Sequence, residues 1–309
     1  MARSWTRRGE WIETAAPKFV AADSLEPEEP SAATPRTAEA FAAAALSVPE
    51  KLARRLLHLG DVQVRGGRAR LRLRPDEAYG FEPLWSEEAL QVLFEDDFCL
   101  VVHKLAGMPV HPDGGASRLT LANAVAAHYM TNGEACAVHH VHRLDEYTSG
   151  PVLYAKGEFA RLALDAQMRE KAIRRIYVAL AEGTVPQGLR VIDAPIGRDR
   201  HHNSRRRVTP GGQDALTRVE CLQTLAGGAA SLIRLELETG RTHQIRVHMA
   251  HAGYPLVGDT LYGGSNEWLS RQALHGEQLI FQHPFTGEEI EVTDPLPQDL
   301  DALVNRLKE

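Results

Sequence analysis

The ten residues Val141–Gly150, which read VHRLDEYTSG, constrain the local fold more strongly than any other stretch of this chain. Thr148, Ser149 and Gly150 are typical of a turn, and the apolar run PVLYA that follows them predicts a strand. Asp145 should therefore lie on a loop that leads into a sheet. Taken alone, an aspartate at such a position is more typical of a turn or a helix cap than of catalysis.

Two arginines stand near a second predicted junction, where a strand over Ser231–Glu238 leads into a helix over about Thr242–Ala252. A helix N-terminus favours anions, and a guanidinium group there can keep a carboxylate in its charged form. Arg241 and Arg246 are placed to do this. Two solvated arginines on a helix face explain the segment equally well when it is taken alone.

A third segment, RRIYVALAEG at 174–183, alternates as a strand does and places Tyr177 between apolar neighbours, where a core role is the ordinary expectation. In chain order, HRLD and TSG within 142–150, RIYVA at 175–179 and GRTHQIR at 240–246 resemble the three motifs of the RluA family of RNA pseudouridine synthases. The resemblance covers roughly residues 90 to 298. An ordered set of motifs over this length is far more specific than any single motif.

The resemblance implies a role for each of the conspicuous residues. Asp145 would be the nucleophile or general base, Arg246 the partner that keeps it charged, and Tyr177 the ring that stacks on the target base. Whether Asp145 attacks the sugar or the base stays open. Arg143 would fill the place that the flipped uridine vacates. Further RNA contacts are expected from His142, Arg198, Arg205, Arg206, Arg207 and Arg241.

The same resemblance implies an α+β catalytic fold, in which a mixed and largely antiparallel sheet is flanked by helices and crossed by an RNA cleft. We predict a flexible extension over residues 1–36, a small subdomain over 37–85 and the catalytic domain over 86–309. The extension is predicted from EPEEP at 26–30 and from its sparse apolar periodicity. In the subdomain, helical spacing over Val48–Leu59, a short strand and a Gly-Gly turn are similar to the alpha-L RNA-binding module. A subdomain that only packs on the catalytic domain fits equally well.

The formal net charge of −6 is unfavourable for RNA binding, because phosphate neutralisation normally supplies much of the affinity. The distribution matters more, since residues 140–210 hold 13 Lys and Arg against 8 Asp and Glu, whereas residues 211–309 hold 7 against 14. The polar stretch Arg198–Arg207 is expected to form a mobile loop that clamps a phosphate backbone. A solvated charged loop is the alternative.

No apolar run approaches the roughly 20 residues that cross a bilayer, and the N-terminus lacks the apolar stretch of a signal peptide. We therefore expect a cytoplasmic protein, and one that acts as a monomer. Cys99, Cys136 and Cys221 are widely spaced, which predicts buried free thiols rather than disulfides or a zinc site.

No cofactor or metal is expected, because in the isomerisation that the family performs no electrons enter or leave the substrate. His139, His140 and His142 lie close in sequence, but neighbouring strand residues alternate faces and cannot all converge on one ion.

Two other classes of protein compete with the isomerase. A catalytically silent RNA-binding protein of the same fold would be expected to lack one of Asp145, Tyr177 and Arg246, and all three are present. A hydrolase that uses Asp145 would need a base and an oxyanion site, and the chain contains no GxSxG elbow, phosphate-binding GxxxxGK loop or HExxH motif. The isomerase is therefore the preferred interpretation.

Overall fold

The computed structural model describes residues 5–15, 37–46, 48–73, 77–85, 90–112, 119–202 and 204–308. Within these ranges the chain forms six α-helices and sixteen strands. The strands make up four sheets, and all neighbouring strands pair in the antiparallel sense. The predicted α+β class with a largely antiparallel sheet is thus confirmed.

A four-stranded sheet with two helices forms the N-terminal part of the molecule. Its strands, in spatial order, are β1 (Trp5–Arg8), β2 (Trp11–Ala15), β4 (Arg68–Arg72) and β3 (Val62–Arg65), and its helices are α1 (Ala38–Leu46) and α2 (Glu50–Leu59). The α2 helix ends at Gly60, whose φ of 79° lies in the left-handed region that glycine adopts without strain. The predicted helix and strand of this subdomain are therefore present, while its RNA binding stays a prediction.

The predicted flexible extension is wrong for residues 5–15, which form the two-stranded ribbon β1–β2. The reason is a partner distant in sequence: β2 pairs along its whole length with β4, and the buried carboxylate of Glu13 bonds to Arg68 and Arg70. Ile12 is buried beneath the ribbon. The rest of the predicted extension lies outside the described residues.

The catalytic region is built on two larger sheets and a short hairpin. In spatial order, the six-stranded sheet contains β10 (Val191–Asp193), β13 (Leu216–Leu225), β14 (Ala230–Leu237), β9 (Arg174–Glu182), β15 (Leu274–Gln282) and β16 (Glu289–Thr293). The second sheet contains β5 (Val92–Glu95), β6 (Cys99–Lys104), β8 (Gly150–Ala155) and β7 (His139–His140). The hairpin contains β11 (Ile196–Arg198) and β12 (Arg206–Val208). The helices of this region are α3 (Leu121–Thr131), α4 (Gly157–Arg169), α5 (Gln244–His251) and α6 (Gln298–Lys308).

The two larger sheets meet where β8 begins, and this junction positions the loop that carries Asp145. Gly150 has a φ of 135°, and a Cβ atom there would lie 2.7 Å from the backbone of Gly276. The Gly276 amide donates a hydrogen bond of 2.8 Å to the Ser149 carbonyl across the junction. Since only glycine tolerates both the conformation and the close approach, the end of the loop is fixed against β15.

The structure differs from the predicted mobile loop over Arg198–Arg207. Arg198 ends β11, and Arg206 and Arg207 begin β12, so these three residues belong to an antiparallel hairpin. The hairpin runs from the pair Ile196 and Val208 to the pair Arg198 and Arg206 next to the turn. Its strands could not be predicted from the polar sequence, because each is only three residues long. The three cysteines are buried and free, as predicted. In the described part of the chain, no helix is long and apolar enough to span a membrane.

Candidate active site

Asp145 lies on the loop between β7 and β8, and its side chain is 23% exposed. Its Oδ2 atom accepts a hydrogen bond of 3.1 Å from Nη1 of Arg246, whereas its Oδ1 atom bonds to none of the described residues. The loop is held from below by Lys104, a buried residue whose Nζ donates to the carbonyl of Glu146 at 2.7 Å. Burial lowers the pKa of Lys104 to about 7, against the opposing charges of Asp145 and Glu146. One oxygen of the Asp145 carboxylate is thus paired with Arg246, and the other has no partner among the described residues.

Arg246, in the first turn of α5, is shared between two carboxylates. Its Nε and Nη2 atoms form a forked pair with Asp259, at 2.7 Å and 2.9 Å, and the third nitrogen reaches Asp145. The side chain of Asp259 is almost fully buried. Sequence analysis missed Asp259, although it closes the segment GYPLVGD at 253–259. The fork fixes the guanidinium plane, and this plane then determines where Asp145 can sit.

Tyr177 lies in β9 and lines a cavity of about 310 Å³, which Asp145 lines as well. Burial raises the pKa of the Tyr177 hydroxyl; Arg175 opposes this shift and the charge of Asp145 adds to it. The phenol therefore stays protonated at neutral pH. It can offer a ring face and a hydrogen-bond donor, but not a negative charge.

Asp145 also lines a second cavity, of about 520 Å³. Both cavities are lined by Arg143, Leu144, Asp145, His243 and Arg246. The structure thus brings the three predicted catalytic residues together around one cleft. The aspartate and its arginine stand at the centre of that cleft.

Two further residues contact this centre and were not singled out from the sequence. His243 precedes α5 with a φ of 57°, and its Nε2 atom lies 3.9 Å from Oδ2 of Asp145. Its Nδ1 atom is 2.8 Å from the hydroxyl of Tyr262. Burial lowers the pKa of His243; the charges of Asp145 and Asp259 oppose this shift and those of the neighbouring arginines add to it. The imidazole is therefore neutral near pH 7.

Two of the predicted RNA-contacting arginines line the cleft, and four others lie on the neighbouring hairpin. Arg143 lies at the mouth of the cleft, with Nη1 3.4 Å from Nε2 of His111. Arg241 lines the smaller cavity and donates to the carbonyl of Asp214 at 2.9 Å. The remaining four residues, Arg198, Arg205, Arg206 and Arg207, belong to the β11–β12 hairpin or the turn just before β12.

His142 differs from the other predicted RNA contacts, because its ring is buried. Its Nε2 atom accepts a hydrogen bond of 3.3 Å from the amide of Leu153 in β8. Burial lowers the pKa of His142 to about 3, so the ring is uncharged at neutral pH. The side chain therefore bonds to β8 and also lines the smaller cavity as an uncharged ring, and its RNA contact stays a prediction.

One group of potential metal ligands occurs among the described residues. Ligand atoms of Asp96, Cys99 and His283 lie within 4.8 Å of one another, in a place remote in sequence from the motifs of the cleft. His283 and Asp96 already share a hydrogen bond of 2.6 Å, and the Asp96 carboxylate also accepts the amides of Phe98 and Cys99. Burial raises the pKa of the Cys99 thiol, so it is not a thiolate. These contacts describe a hydrogen-bonded cluster of the core.

The family model described as RNA pseudouridylate synthase matches residues 98–251. The chain is 47% identical over 239 residues to the uncharacterized RNA pseudouridine synthase YhcT of Bacillus subtilis, covering 77% of this chain and 78% of the relative. It is 39% identical over 264 residues to ribosomal large subunit pseudouridine synthase D of Neisseria meningitidis, covering 80% and 69%. Among solved structures, human RNA pseudouridylate synthase domain containing 1 aligns with a TM-score of 0.57 and 29% identity, over 72% of this chain and 90% of that one.

Proposed function

The chain belongs to the family of RNA pseudouridine synthases, isomerases that act on uridine in RNA, and from this premise we propose that Asp145 is its nucleophile and a structured ribosomal RNA its substrate. The similarity confirms the resemblance to the RluA family that the three motifs carry. The observation that carries the proposal is the Asp145 carboxylate, paired with Arg246 through one oxygen and open through the other.

The isomerisation has a simple balance. The bond between N1 of uracil and C1′ of ribose breaks, the base turns, and a bond between C5 and C1′ forms in its place. C5 loses a proton and N1 gains one, so no electrons enter or leave and no cofactor is required. An ionised carboxylate in a partly desolvated cleft can act as the nucleophile of such a reaction, and Arg246 stabilises the ionised form.

We place the target base in the cavity of about 310 Å³ that Tyr177 lines. A uridine inside a helix or loop must leave its stack to reach that cavity, which costs roughly a few kcal/mol. The phenol ring of Tyr177 offers a stacking surface that repays part of this cost. Arg143, at the mouth of the cleft, is positioned to occupy the space that the base vacates.

Ribosomal RNA is preferred as the substrate because several relatives are named ribosomal large subunit pseudouridine synthase D. The arginines around the cleft would hold the phosphate backbone. RNA of this kind is recognised mainly through its shape and its loops, so the choice of uridine would rest on the hairpin and on the N-terminal subdomain. We further propose that the enzyme works in the cytoplasm as a monomer without a cofactor.

The proposal is tested by mapping pseudouridine in total RNA from cells that carry the wild-type gene, a deletion, or Asp145→Asn. We expect one or a few positions in large-subunit ribosomal RNA to be lost in the deletion, restored by the wild type and not restored by Asp145→Asn. Identical maps in all strains would overturn the proposed function. Loss confined to transfer RNA would overturn the ribosomal assignment.

A further inference from the structure

Tyr262 connects the β11–β12 hairpin to the start of α5, although it lies outside every motif discussed above. It ends the short 3₁₀ turn Thr260–Tyr262 and is buried. Its hydroxyl accepts a hydrogen bond of 2.9 Å from the amide of Arg206 in β12 and lies 2.8 Å from Nδ1 of His243. One side chain therefore bonds to both elements.

The ring of Tyr262 also packs against charged groups of both elements. The guanidinium carbon of Arg246 lies 5.0 Å from the ring centroid, and that of Arg205 lies 5.5 Å from it. The His243 ring meets it edge-on at 5.7 Å. Arg246 is the partner of Asp145, so the ring of Tyr262 contacts the catalytic centre through Arg246. The hydroxyl of Tyr262 contacts the same centre through His243.

The hydrogen bonds of Tyr262 favour one of the two neutral tautomers of His243. The Arg206 amide can only donate, so the Tyr262 oxygen accepts from it, and the hydroxyl proton is left free to be donated to Nδ1 of His243. With Nδ1 accepting, the neutral ring carries its proton on Nε2. That nitrogen faces Oδ2 of Asp145 at 3.9 Å.

We propose that Tyr262 is a positioning residue: it holds His243 with its N–H dipole toward Asp145 and ties this arrangement to the hairpin on which RNA docks. The inference rests on the proposed function, since it gives Asp145 the chemical role. Docking of RNA on Arg205–Arg207 would thereby be coupled to the geometry of the reacting carboxylate, through one hydroxyl.

Several charged groups surround His243, and they decide the sign of its pH dependence. Asp145 on the catalytic loop and Asp259 before the 3₁₀ turn favour protonation, whereas Arg246 of α5 and Arg206 of β12 oppose it. The Tyr262 hydroxyl also opposes it, because it donates to Nδ1. Removing that hydroxyl should therefore raise the pKa of His243. A protonated His243 would pair with Asp145 and weaken it as a nucleophile.

The test is the single-turnover rate of Tyr262→Phe on one RNA substrate, measured between about pH 6 and pH 8.5. The variant keeps the ring and its packing but loses both hydrogen bonds, so we expect a loss of about 10-fold near pH 7. The deficit should deepen toward pH 6 and shrink above pH 8, because the protonated fraction of His243 falls as pH rises. The wild type should be flat over this range, and RNA affinity should change by no more than about 3-fold.

Three further proteins make the outcome decisive. Tyr154→Phe is the matched control, since Tyr154 is buried in β8 and its hydroxyl has no hydrogen-bond partner in the described part of the chain. It should behave as the wild type. The double variant Tyr262→Phe with His243→Gln should lose the pH dependence, because glutamine does not titrate. Asp145→Asn should be inactive at every pH, which tests the proposed function separately.

Nitrogen NMR of histidine-labelled enzyme supplies a readout independent of activity. We expect the signal that His243→Gln removes to show a proton on Nε2 in the wild type, and this pattern to be lost in Tyr262→Phe. A Tyr262→Phe rate within about 2-fold of the wild type at every pH would overturn the inference. A pH-independent loss accompanied by a lower melting temperature would overturn it as well, by showing that Tyr262 only supports the fold.

Discussion

Arginines cluster on two surfaces of the catalytic region, and the two clusters differ in their partners. On the outer face of the six-stranded sheet, each arginine is paired with a glutamate: Arg174 with Glu236, Arg218 with Glu238, and Arg234 with Glu277. Around the cleft, no carboxylate of the described residues lies within ion-pair distance of the guanidinium groups of Arg143, Arg198, Arg205, Arg206, Arg207 and Arg241. Strand alternation keeps the two surfaces apart, because Tyr177 and Arg174 point to opposite faces of β9.

This difference would allow a chain with a formal charge of −6 to bind RNA at the cleft. On the sheet face, every arginine brings a carboxylate that repels phosphate and cancels its field. Around the cleft the positive charge is not cancelled in this way, so it remains available to the backbone of an RNA. Asp199, on the hairpin turn, carries a negative charge among these arginines. Its pKa is lowered first by the amide of His201 and then by the charges of Arg205 and Arg207. The arrangement of charge, and not its sum, predicts the binding surface.

The largest expected effect is a loss of catalytic rate without a loss of RNA affinity. Asp145→Asn keeps the shape of the side chain and removes the charge of the proposed nucleophile, so the single-turnover rate should fall by ~10³-fold or more. RNA affinity and its salt dependence should stay near the wild-type values, because no phosphate contact is lost. A variant that turns over at nearly the wild-type rate would remove Asp145 from the mechanism.

Arg246 is a cleft arginine that does have carboxylate partners, so its loss should act on stability instead of salt dependence. In Arg246→Ala the buried Asp259 is left without its cation, and the free energy of unfolding should fall by about 3–5 kcal/mol. Arg246→Lys keeps the charge but loses the fork, so it should fold and yet react about 10-fold more slowly, or worse. Urea denaturation and single-turnover rates measure the two effects. An Arg246→Ala protein as stable as the wild type would contradict the role of the Asp259 pair.

Replacing Arg205, Arg206 and Arg207 together by alanine should weaken RNA binding and flatten its salt dependence. Each phosphate contact that is lost should reduce the magnitude of the logarithmic salt slope by about 0.7 to 0.9. Binding titrations at several salt concentrations give the slope. If the slope is unchanged, the hairpin arginines are solvated and do not contact phosphate, and the proposed difference between the two arginine surfaces is wrong.

The smallest effect is expected from the matched replacement on the sheet face. Arg174, Arg218 and Arg234, changed together to alanine, remove the same formal charge as the hairpin variant. Because their glutamates already neutralise them, RNA affinity and the salt slope should stay within error of the wild type. Exposed ion pairs contribute little, so stability should change by no more than about 1 kcal/mol per pair. A salt slope that falls as it does for the hairpin variant would show that total charge governs binding.

The sequence predicts those parts of the fold whose pattern is local. The strand after Gly150 and the strand that carries Tyr177 lie where apolar periodicity and turn residues put them. The helix predicted over Thr242–Ala252 begins two residues later, because His243 adopts a left-handed conformation that no local pattern announces. Strands β1 and β2 escaped prediction because β2 finds its partner β4 more than fifty residues further along the chain.

The site follows the same division. Asp145 and Arg246 lie within recognisable motifs, and the structure places Oδ2 of Asp145 3.1 Å from Nη1 of Arg246. Asp259 and Tyr262 reach the same centre because the segment after α5 folds back over it. The segment GYPLVGD offers a sequence signal for Asp259, whereas Tyr262 has none. The burial of His142 could not be predicted from its place beside Arg143, because its ring is held by the amide of Leu153, a residue of the following strand.

The most direct test of the central claim follows the proton that leaves C5. A transcript of large-subunit ribosomal RNA is made with tritium at C5 of uridine and mixed with the purified wild-type protein in buffer containing a chelator and no added cofactor. Asp145→Asn serves as the control. We predict that the wild type releases tritium into water up to a fixed number of sites per RNA, and that Asp145→Asn binds the RNA and releases none. Tight binding by the wild type without tritium release, or equal release by Asp145→Asn, would contradict isomerisation by the Asp145 cleft.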